Sequence, residues 1–302
     1  MKSKEFEVII IGGSYSGLSA AMALGRALRK VLVIDGGKPT NRFTPYSHNF
    51  ITHDGRKPEE IASLAKQQVQ EYRSVVFKDA FVIKAERQNT DFLVTVGSGE
   101  EYVTRKIVLA TGIVDLMPDI PGYVECWGKS VLHCPYCHGY EVRNVETGIL
   151  GNGDYAYEFG TLISNWTKKL TVFTNGRSTL TDDQRFKLTL HGINIIEDRI
   201  KDFSHTSGAI HEIIFESGMS QRVSALYSRP AFIQHSELSD QLFCELTSEG
   251  YIKVDQSQRT TIPGVFACGD NVTKLRTVAN AVSLGTTAGM MVNKELVLEN
   301  FG

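Results

Sequence analysis

The stretch VIIIGGSYSG, residues 8–17, joins an apolar run to a turn rich in glycine. Residues 8–11 are all apolar and β-branched, as expected of a strand buried on both faces of a parallel sheet. LSAAMALGRALRK at 18–30 predicts a helix with small residues on one face, and VLVID at 31–35 predicts a second buried strand. The stretch therefore predicts a strand–turn–helix–strand unit, the opening of an α/β fold.

The glycine turn and the acid beyond it indicate a dinucleotide site. Gly12 permits a tight turn, Gly17 permits close helix–strand packing, and the helix N-terminus offers N–H groups to a pyrophosphate. Asp35 ends the second strand, where a carboxylate can accept from a ribose hydroxyl. Ser14 stands where the G-x-G-x-x-G pattern has its middle glycine. A turn that serves packing alone is the alternative interpretation.

A second unit of the same kind follows later. A predicted strand at 147–150 precedes GNGDYA at 151–156, a helix-like segment at 157–166 and LTVFTN at 170–175. No acid ends the second strand, and a single cation, Arg177, follows it. Two hypotheses stay open here: an NAD(P) site built on Gly151, Gly153, Ala156 and Arg177, or a duplicated fold whose second site no longer binds a nucleotide.

Two further segments end in glycine after a predicted strand. IVLATG covers residues 107–112, and TIPGVFACGD covers 261–270. A helix-like segment, RTVANAVSLGTTAGMMVNKEL, follows the second one. Glycine lets backbone approach a ligand, and Asp270 can accept from hydroxyl groups of that ligand.

HCPYCH at 133–138 holds two cysteines separated by two residues. This spacing lets the sulfurs close a small disulfide ring, and thiol exchange needs one attacking thiolate and one resolving partner. Zinc normally takes four ligands, and His133 and His138 adjoin the cysteines too closely for all four to converge, so we expect no metal site. A glutaredoxin-type motif would follow the first strand of a much shorter chain. Cys126, Cys244 and Cys268 are interpreted as buried small side chains.

In their order, GGSYSG, IVLATG, CPYC, GNGDYA and ACGD resemble the low-molecular-weight thioredoxin reductases. The resemblance implies an α/β protein with two Rossmann-like dinucleotide-binding domains, the second inserted in the first. The FAD-binding domain would comprise residues 1–115 and 245–302, and an NAD(P)-binding-like domain with the cysteine pair would comprise residues 116–244. Glycine or proline near 116–122 and 246–250 marks the two connections.

The resemblance also assigns residues. Cys137 would face the flavin, and Cys134 would exchange with the substrate. The residues implied to bind FAD are Gly12, Gly13, Ser14, Gly17, Asp35, Asn49, Thr111, Gly112, Gly269, Asp270, Arg276, Thr277 and Val278.

The segment CPYCHGYE carries His138 where the commoner members carry Asp. This form resembles the branch that contains gliotoxin- and holomycin-type dithiol oxidases. With an ordinary pKa near 6.5, His138 suits proton transfer to and from a thiol, and simple packing is the alternative. His133 is interpreted as structural. The loop at 41–55 could line a pocket with Arg42, His48 and His53, or these side chains could be solvated.

Composition narrows the function. A net charge of −2 indicates neither a nucleic-acid partner nor a membrane surface. We expect a cytoplasmic homodimer without a signal peptide, acting on a thioredoxin-like protein or a small dithiol or disulfide. The expected activity is FAD-dependent disulfide exchange, with NAD(P)H as an uncertain electron donor. Alternatives are a dithiol oxidase that passes electrons to O2, a reductase fed by a non-nicotinamide donor, and an idle flavin-binding protein.

Overall fold

A computed structural model describes residues 4–302. Residues 1–3 lie outside this range. They belong to the N-terminal segment in which we predict no signal peptide. The chain forms two compact units. The first contains the chain up to Arg42, Asn49–Val114 and Phe232–Gly302, and the second contains Phe43–His48 and Asp115–Ala231.

The first unit is built on a sheet with the strand order β3-β2-β1-β6-β5-β4, and β17 also pairs with β6. The strands β3, β2, β1, β6 and β17 run parallel, whereas β4, β5 and β6 form an antiparallel meander. Its elements are β1 (Lys4–Ile11), α1 (Tyr15–Arg26), β2 (Val31–Asp35), a 3-10 turn (Thr40–Phe43), α2 (Pro58–Gln70), β3 (Val75–Asp79), β4 (Val82–Gln88), β5 (Asp91–Val96), β6 (Glu101–Leu109), α7 (Leu238–Gln241), β17 (Val265–Ala267) and α8 (Val278–Phe301).

Burial explains these strands. The apolar side chains of residues 8–10 and 31–34 are almost fully buried, because the parallel core of the sheet is covered on both faces. In β5 the burial alternates, as in a strand with one face in the core. Helix α8 packs closely on α1: a Cβ at Gly285 would lie 2.1 Å from the carbonyl oxygen of Ser16, so only glycine allows this approach.

The second unit repeats the parallel arrangement in a smaller sheet with the order β11-β10-β9-β15-β8, beside a three-stranded sheet β12-β13-β14. Parallel strands alternating with helices confirm the predicted α/β class. Its elements are α3 (Tyr123–Cys126), β8 (Val131–Leu132), α4 (Pro135–His138), β9 (Thr147–Leu150), α5 (Gly153–Ile163), β10 (Leu170–Phe173), α6 (Asp182–Leu190), β11 (Asn194–Ile196), β12 (Ile200–Thr206), β13 (Ala209–Phe215), β14 (Ser220–Arg222) and β15 (Ala225–Ser228).

The chain crosses between the units along two short strands that pair with each other, β7 (Ile113–Leu116) and β16 (Ala231–Gln234). The second crossing lies at Ala231–Phe232 rather than near residue 245, because side chains at 238, 242 and 244 are buried in the core of the first unit. The loop at 41–55 is also divided, since Phe43–His48 groups with the second unit.

Candidate active site

The cysteine pair lies on a single turn after β8. Cys134 is the residue before helix α4, and Pro135 occupies the first helical position, where its missing N–H costs no hydrogen bond. The two cysteines form a disulfide with their Cα atoms 5.3 Å apart. The backbone N–H of Cys137 donates to the Sγ atom of Cys134 at 3.2 Å. After reduction, the same N–H can stabilise a thiolate on Cys134.

The surroundings of the pair are partly apolar and partly open. Cys134 is 9% exposed, whereas Cys137 is half-buried. The hydrogen bond from the N–H of Cys137 favours Cys134 as the thiolate, which agrees with the exchanging role implied for this cysteine. Tyr136 is 63% exposed and meets Trp166 edge to face, with 5.6 Å between ring centroids.

His138 ends helix α4 and is half-buried. Burial, and to a smaller extent the nearby His48, lower the pKa of this imidazole to about 4. The ring is therefore neutral at physiological pH, and its pKa differs from the ordinary value assumed in the sequence argument. A neutral imidazole can accept a proton from a thiol and can also donate from its other nitrogen.

Two other histidines lie near this turn. The Nε2 atom of His48 lies 3.6 Å from the Oε1 atom of Glu141. His133 stacks on Trp127 with ring centroids 5.9 Å apart, which supports a packing role. The guanidinium group of Arg42 donates to the carbonyl oxygen of Pro39 and so stabilises the turn that contains both residues.

In the first unit, the glycine turn after β1 forms a narrow cradle. Gly12 has a φ of +108°, and a Cβ there would lie 2.2 Å from the carbonyl oxygen of Ala110. A Cβ on Gly17 would lie 1.9 Å from the carbonyl oxygen of Gly12. Ser14 is the N-cap of α1 and makes no side-chain capping bond. The first N–H groups of α1 therefore face the turn without helical partners, as a phosphate site requires.

Asp35 closes one side of this cradle. Its Oδ1 atom accepts from the backbone N–H of Gly13 at 3.0 Å. A side chain at Gly13 would collide with Asp35, since a Cβ at position 13 would lie 2.8 Å from the Cβ atom of Asp35. The contact fixes the acid at the mouth of the turn, where a ribose hydroxyl would be expected.

The carboxyl ends of β6 and β17 lie together, because Ala267 pairs with Leu109 in the parallel register. Thr111, Gly112, Gly269 and Asp270 follow these ends and so lie at the same edge of the sheet as Gly12. Gly269 has a φ of +95°, and a Cβ there would lie 2.5 Å from the Oγ atom of Ser16. The Nε atom of Arg276 lies 3.7 Å from the Oδ2 atom of Asp270.

The start of α8 and the loop after β2 complete this region. Thr277 caps α8 by accepting from the N–H of Asn280, and Val278 packs in a small apolar cluster with Tyr15. Asn49 has a φ of +59°, and its N–H donates to Asp54. The Nδ1 atom of His53 is buried and has no hydrogen-bond partner in the described chain, which suits a residue that lines a ligand pocket.

These features fit FAD. The first unit offers a cradle too narrow for side chains, a free helix N-terminus, an acid beside it and a second glycine turn at the same sheet edge. A pyrophosphate would be held by the turn that contains Gly12, Gly13, Ser14 and Gly17, and ribityl hydroxyls would be held by Asp270.

The corresponding turn of the second unit is also closed to added side chains. The Oδ1 atom of Asn152 accepts from the N–H groups of Gly153 at 2.9 Å and of Thr179 at 2.7 Å. A Cβ at Gly151 would lie 2.3 Å from the ring of Tyr155. Ala156 is fully buried. Asn152 therefore caps helix α5, and only glycine fits at position 151.

Charged side chains of both signs follow β10. Arg177 is exposed, and its carbonyl oxygen accepts from the Nδ2 atom of Asn152 at 2.9 Å. Glu197 accepts from the N–H of Ser178 at 2.9 Å and pairs with Arg185. The N–H of Ser178 and the cations of Arg185 and Arg177 lower the pKa of the Glu197 carboxyl, so its charge is compensated locally.

Sequence reasoning missed several residues of these sites. Asn271 is fully buried and donates to the carbonyl oxygen of Leu109 at 2.9 Å, which ties the two strand ends together. Gly285 and Gly289 form a G-x-x-x-G spacing in α8, a signal that could have predicted the close contact with α1. No local pattern points to the contact between His48 and Glu141, which are distant in the chain.

Residues 4–302 contain no cluster of three or more His, Cys, Asp or Glu side chains able to hold a metal ion. Within the same residues, no helix is both long and apolar enough to span a membrane. Cys126, Cys244 and Cys268 are buried free thiols.

Comparison with known proteins gives a consistent result. Residues 6–285 match the sequence profile of the family described as pyridine nucleotide-disulphide oxidoreductase. Thioredoxin reductase sirT of Leptosphaeria maculans is 32% identical over 95% of this chain and 93% of its own length. Thioredoxin reductase tcpT of Claviceps purpurea is 33% identical over 97% of this chain and 95% of its own length. The crystal structure of HlmI superposes with a TM-score of 0.93 at 32% identity, covering 98% of this chain and 94% of HlmI.

Proposed function

Since the chain belongs to the pyridine nucleotide-disulphide oxidoreductase family and is an FAD-dependent enzyme of the thioredoxin-reductase-like type, we propose that electrons pass between FAD and a disulfide or dithiol substrate through Cys134 and Cys137. The disulfide on the turn after β8 carries this proposal. FAD, when bound, supplies a two-electron acceptor and donor. A flavin-binding protein without activity would have no use for the paired cysteines.

Thiol–disulfide exchange at the cysteines takes two steps and conserves both electrons and atoms. A substrate thiolate attacks the Cys134 sulfur, the Cys134–Cys137 bond breaks, and a mixed disulfide forms. The second substrate thiol then attacks the mixed disulfide, so that the substrate leaves as a disulfide and both cysteines are reduced. His138 accepts the proton of an attacking thiol. In the opposite direction the Cys134 thiolate, stabilised by the N–H of Cys137, attacks a substrate disulfide.

The first unit is assigned to FAD. The turn at Gly12, Gly13, Ser14 and Gly17, together with Asp35, would hold its diphosphate and ribose. The other positions proposed for the flavin part are Asn49, Thr111, Gly112, Gly269, Asp270, Arg276, Thr277 and Val278. The resemblance assigns Cys137 to the flavin side and Cys134 to the substrate side.

Single cysteine variants test this division of roles. Cys134→Ser is expected to retain a long-wavelength thiolate–flavin absorbance band after reduction, whereas Cys137→Ser should lack it. Free thiols in each denatured variant are counted with a chromogenic disulfide, and four are expected because one of the five cysteines is replaced. If Cys137→Ser keeps the band and Cys134→Ser loses it, the assigned roles are exchanged and this part of the proposal is wrong.

The charge pattern of the second unit favours a second candidate, a dithiol oxidase that passes its electrons to O2. No acid ends β10, where the ribose of NAD would be held, and Arg185 is already paired with Glu197, which leaves less positive charge for a 2′-phosphate. Oxidation of one dithiol by one O2 would yield one disulfide and one hydrogen peroxide. Peroxide formed in an equal amount to the disulfide, without NAD(P)H, would support the oxidase; absence of peroxide would favour the reductase.

The remaining proposals concern the cellular context. We place the enzyme in the cytoplasm, where three buried free thiols would stay reduced. As its relatives' names suggest, the partner would be a thioredoxin-like protein or a small dithiol or disulfide. A homodimer is implied by the resemblance, and light scattering of the purified protein measures its mass directly.

A further inference from the structure

The inference concerns His53, in the loop before α2, and it rests on the assignment of FAD to the first unit under the proposed function. The residue as a whole is partly buried, but its Nδ1 atom is fully buried and has no hydrogen-bond partner in the described chain. A buried polar atom without a partner costs free energy. A ligand that supplies the missing hydrogen bond would remove this cost, so the atom points to a bound group.

Hydrogen bonds within the loop hold His53 in place. The N–H of His53 donates to the carbonyl oxygen of Phe50 at 2.9 Å, and the N–H of Asn49 donates to the Oδ1 atom of Asp54 at 2.8 Å. Between these contacts Thr52 has a φ of +74°, which is rare for a β-branched residue. Such backbone persists only where the surrounding structure enforces it, and it is concentrated at active sites and ligand sites.

The loop packs beside the two helix starts at which we place FAD. The ring of His53 lies against that of Phe50, with 5.6 Å between their centroids. Phe50 packs in turn on an apolar cluster that includes Tyr15, in the first turn of α1, and Ala281, in the first turn of α8. The hydroxyl of Tyr15 also donates to the carbonyl oxygen of Pro58 at 3.0 Å, which ties α1 to the end of the loop. The side chain of Phe50 therefore connects His53 with both helix starts.

We propose that the Nδ1 atom of His53 forms a hydrogen bond with bound FAD and slows release of the cofactor. An imidazole nitrogen donates or accepts according to the tautomer, so it suits a hydroxyl or phosphate of FAD as well as the polar edge of the flavin ring. The positions assigned to FAD above come from motifs, whereas His53 is assigned from an unsatisfied buried atom. His53 is a binding residue in this scheme, and neither electrons nor protons pass through it.

The alternative role for His53 is to pack its ring on Phe50. Two substitutions separate the roles, because each keeps one property of histidine and removes the other. His53→Phe keeps an aromatic ring beside Phe50 but has no polar atom. His53→Asn loses the ring but places an amide atom close to the position of Nδ1, where it can donate or accept.

The measurement is the rate at which each yellow holoenzyme releases FAD after dilution, followed by flavin fluorescence. The visible absorbance spectrum of the bound flavin is recorded as well. A shifted spectrum with faster release places the hydrogen bond on the flavin ring, and an unchanged spectrum with faster release places it on the ribityl or diphosphate part. His235→Phe is the matched control, since His235 is an exposed histidine of the same unit. Circular dichroism shows that each variant retains its fold.

We expect His53→Phe to release FAD about 3–10-fold faster than wild type, the effect of losing one hydrogen bond. His53→Asn should release FAD more slowly than His53→Phe, and His235→Phe should match wild type. If His53→Phe is purified without FAD, uptake of added FAD by His53→Asn supports the inference, and failure of uptake overturns it.

Two further results would overturn the inference. The first is release of FAD from His53→Phe at the wild-type rate. The second is release from His53→Asn that is as fast as, or faster than, release from His53→Phe, which is the pattern expected from ring packing. Wild-type protein that cannot bind FAD would instead contradict the proposed function. If wild type and His53→Phe hold FAD equally well, only this inference fails.

Discussion

At the scale of single residues, the environment of His138 departs most from what its type suggests. An exposed histidine would lose its neutral form near pH 6.5, but burial and the neighbouring His48 lower the pKa of His138 to about 4. Its lowered pKa means that the neutral, proton-accepting form persists at mildly acidic pH. Sequence predicted the position of this residue but not its pKa, because the pKa depends on packing and on His48.

Replacing His138 by Ala should slow thiol-linked flavin reduction by about 10²–10⁴-fold while FAD stays bound. Both rates depend in the same way on the ionisation of the substrate thiols, so this dependence cancels in the ratio of the wild-type rate to the variant rate. That ratio should stay constant from pH 7 to 5 and fall only as the pH approaches about 4, where the imidazole takes a proton. His138→Asp should recover part of the rate. A ratio that already falls near pH 6.5 would show that the imidazole titrates normally and would contradict this account.

At the scale of helices and strands, local patterns predicted much of the fold. The observed β2 and β9 coincide with the predicted segments, because short apolar runs between turn residues specify buried strands. Helix α1 ends at Arg26 rather than Lys30, since Leu28 adopts a φ of +61° that a helix cannot continue. The division of the loop at 41–55 could not be predicted, because it depends on contacts between segments far apart in sequence.

Because α1 and α8 pack so closely, we predict that a Gly→Ala change in α8 lowers stability, whereas helix propensity alone predicts an increase. Gly→Ala inside a helix normally stabilises by about 1 kcal/mol. At Gly285 the added methyl would lie 2.1 Å from the carbonyl oxygen of Ser16, so we expect destabilisation by about 1–3 kcal/mol and weaker FAD retention. Ser283→Ala, at a neighbouring exposed position of α8, is the control and should change little. Chemical denaturation measures both; a stabilised Gly285→Ala would refute the close contact.

At the scale of the whole molecule, the family, the α/β class and FAD dependence predicted from the motifs are confirmed by the family match and the relatives. The two nucleotide turns, similar in sequence, differ in the polar group beside them: the Asp35 carboxylate accepts from the N–H of Gly13 in the first, and the Asn152 amide accepts from the N–H of Gly153 in the second. A pattern of glycines alone cannot reveal this difference, because the contacts depend on how each turn folds.

The central claim is that electrons pass between the flavin and a dithiol or disulfide substrate through Cys134 and Cys137. The most direct measurement is anaerobic titration of the FAD-loaded protein with dithiothreitol, NADPH and NADH, followed by flavin absorbance. The account predicts rapid bleaching by the dithiol, slow bleaching by either nucleotide, and no bleaching by the dithiol when both cysteines are replaced by Ser. Wild-type flavin that dithiothreitol leaves oxidised while NADPH bleaches it rapidly, or a doubly substituted variant bleached by the dithiol as fast as wild type, would contradict it.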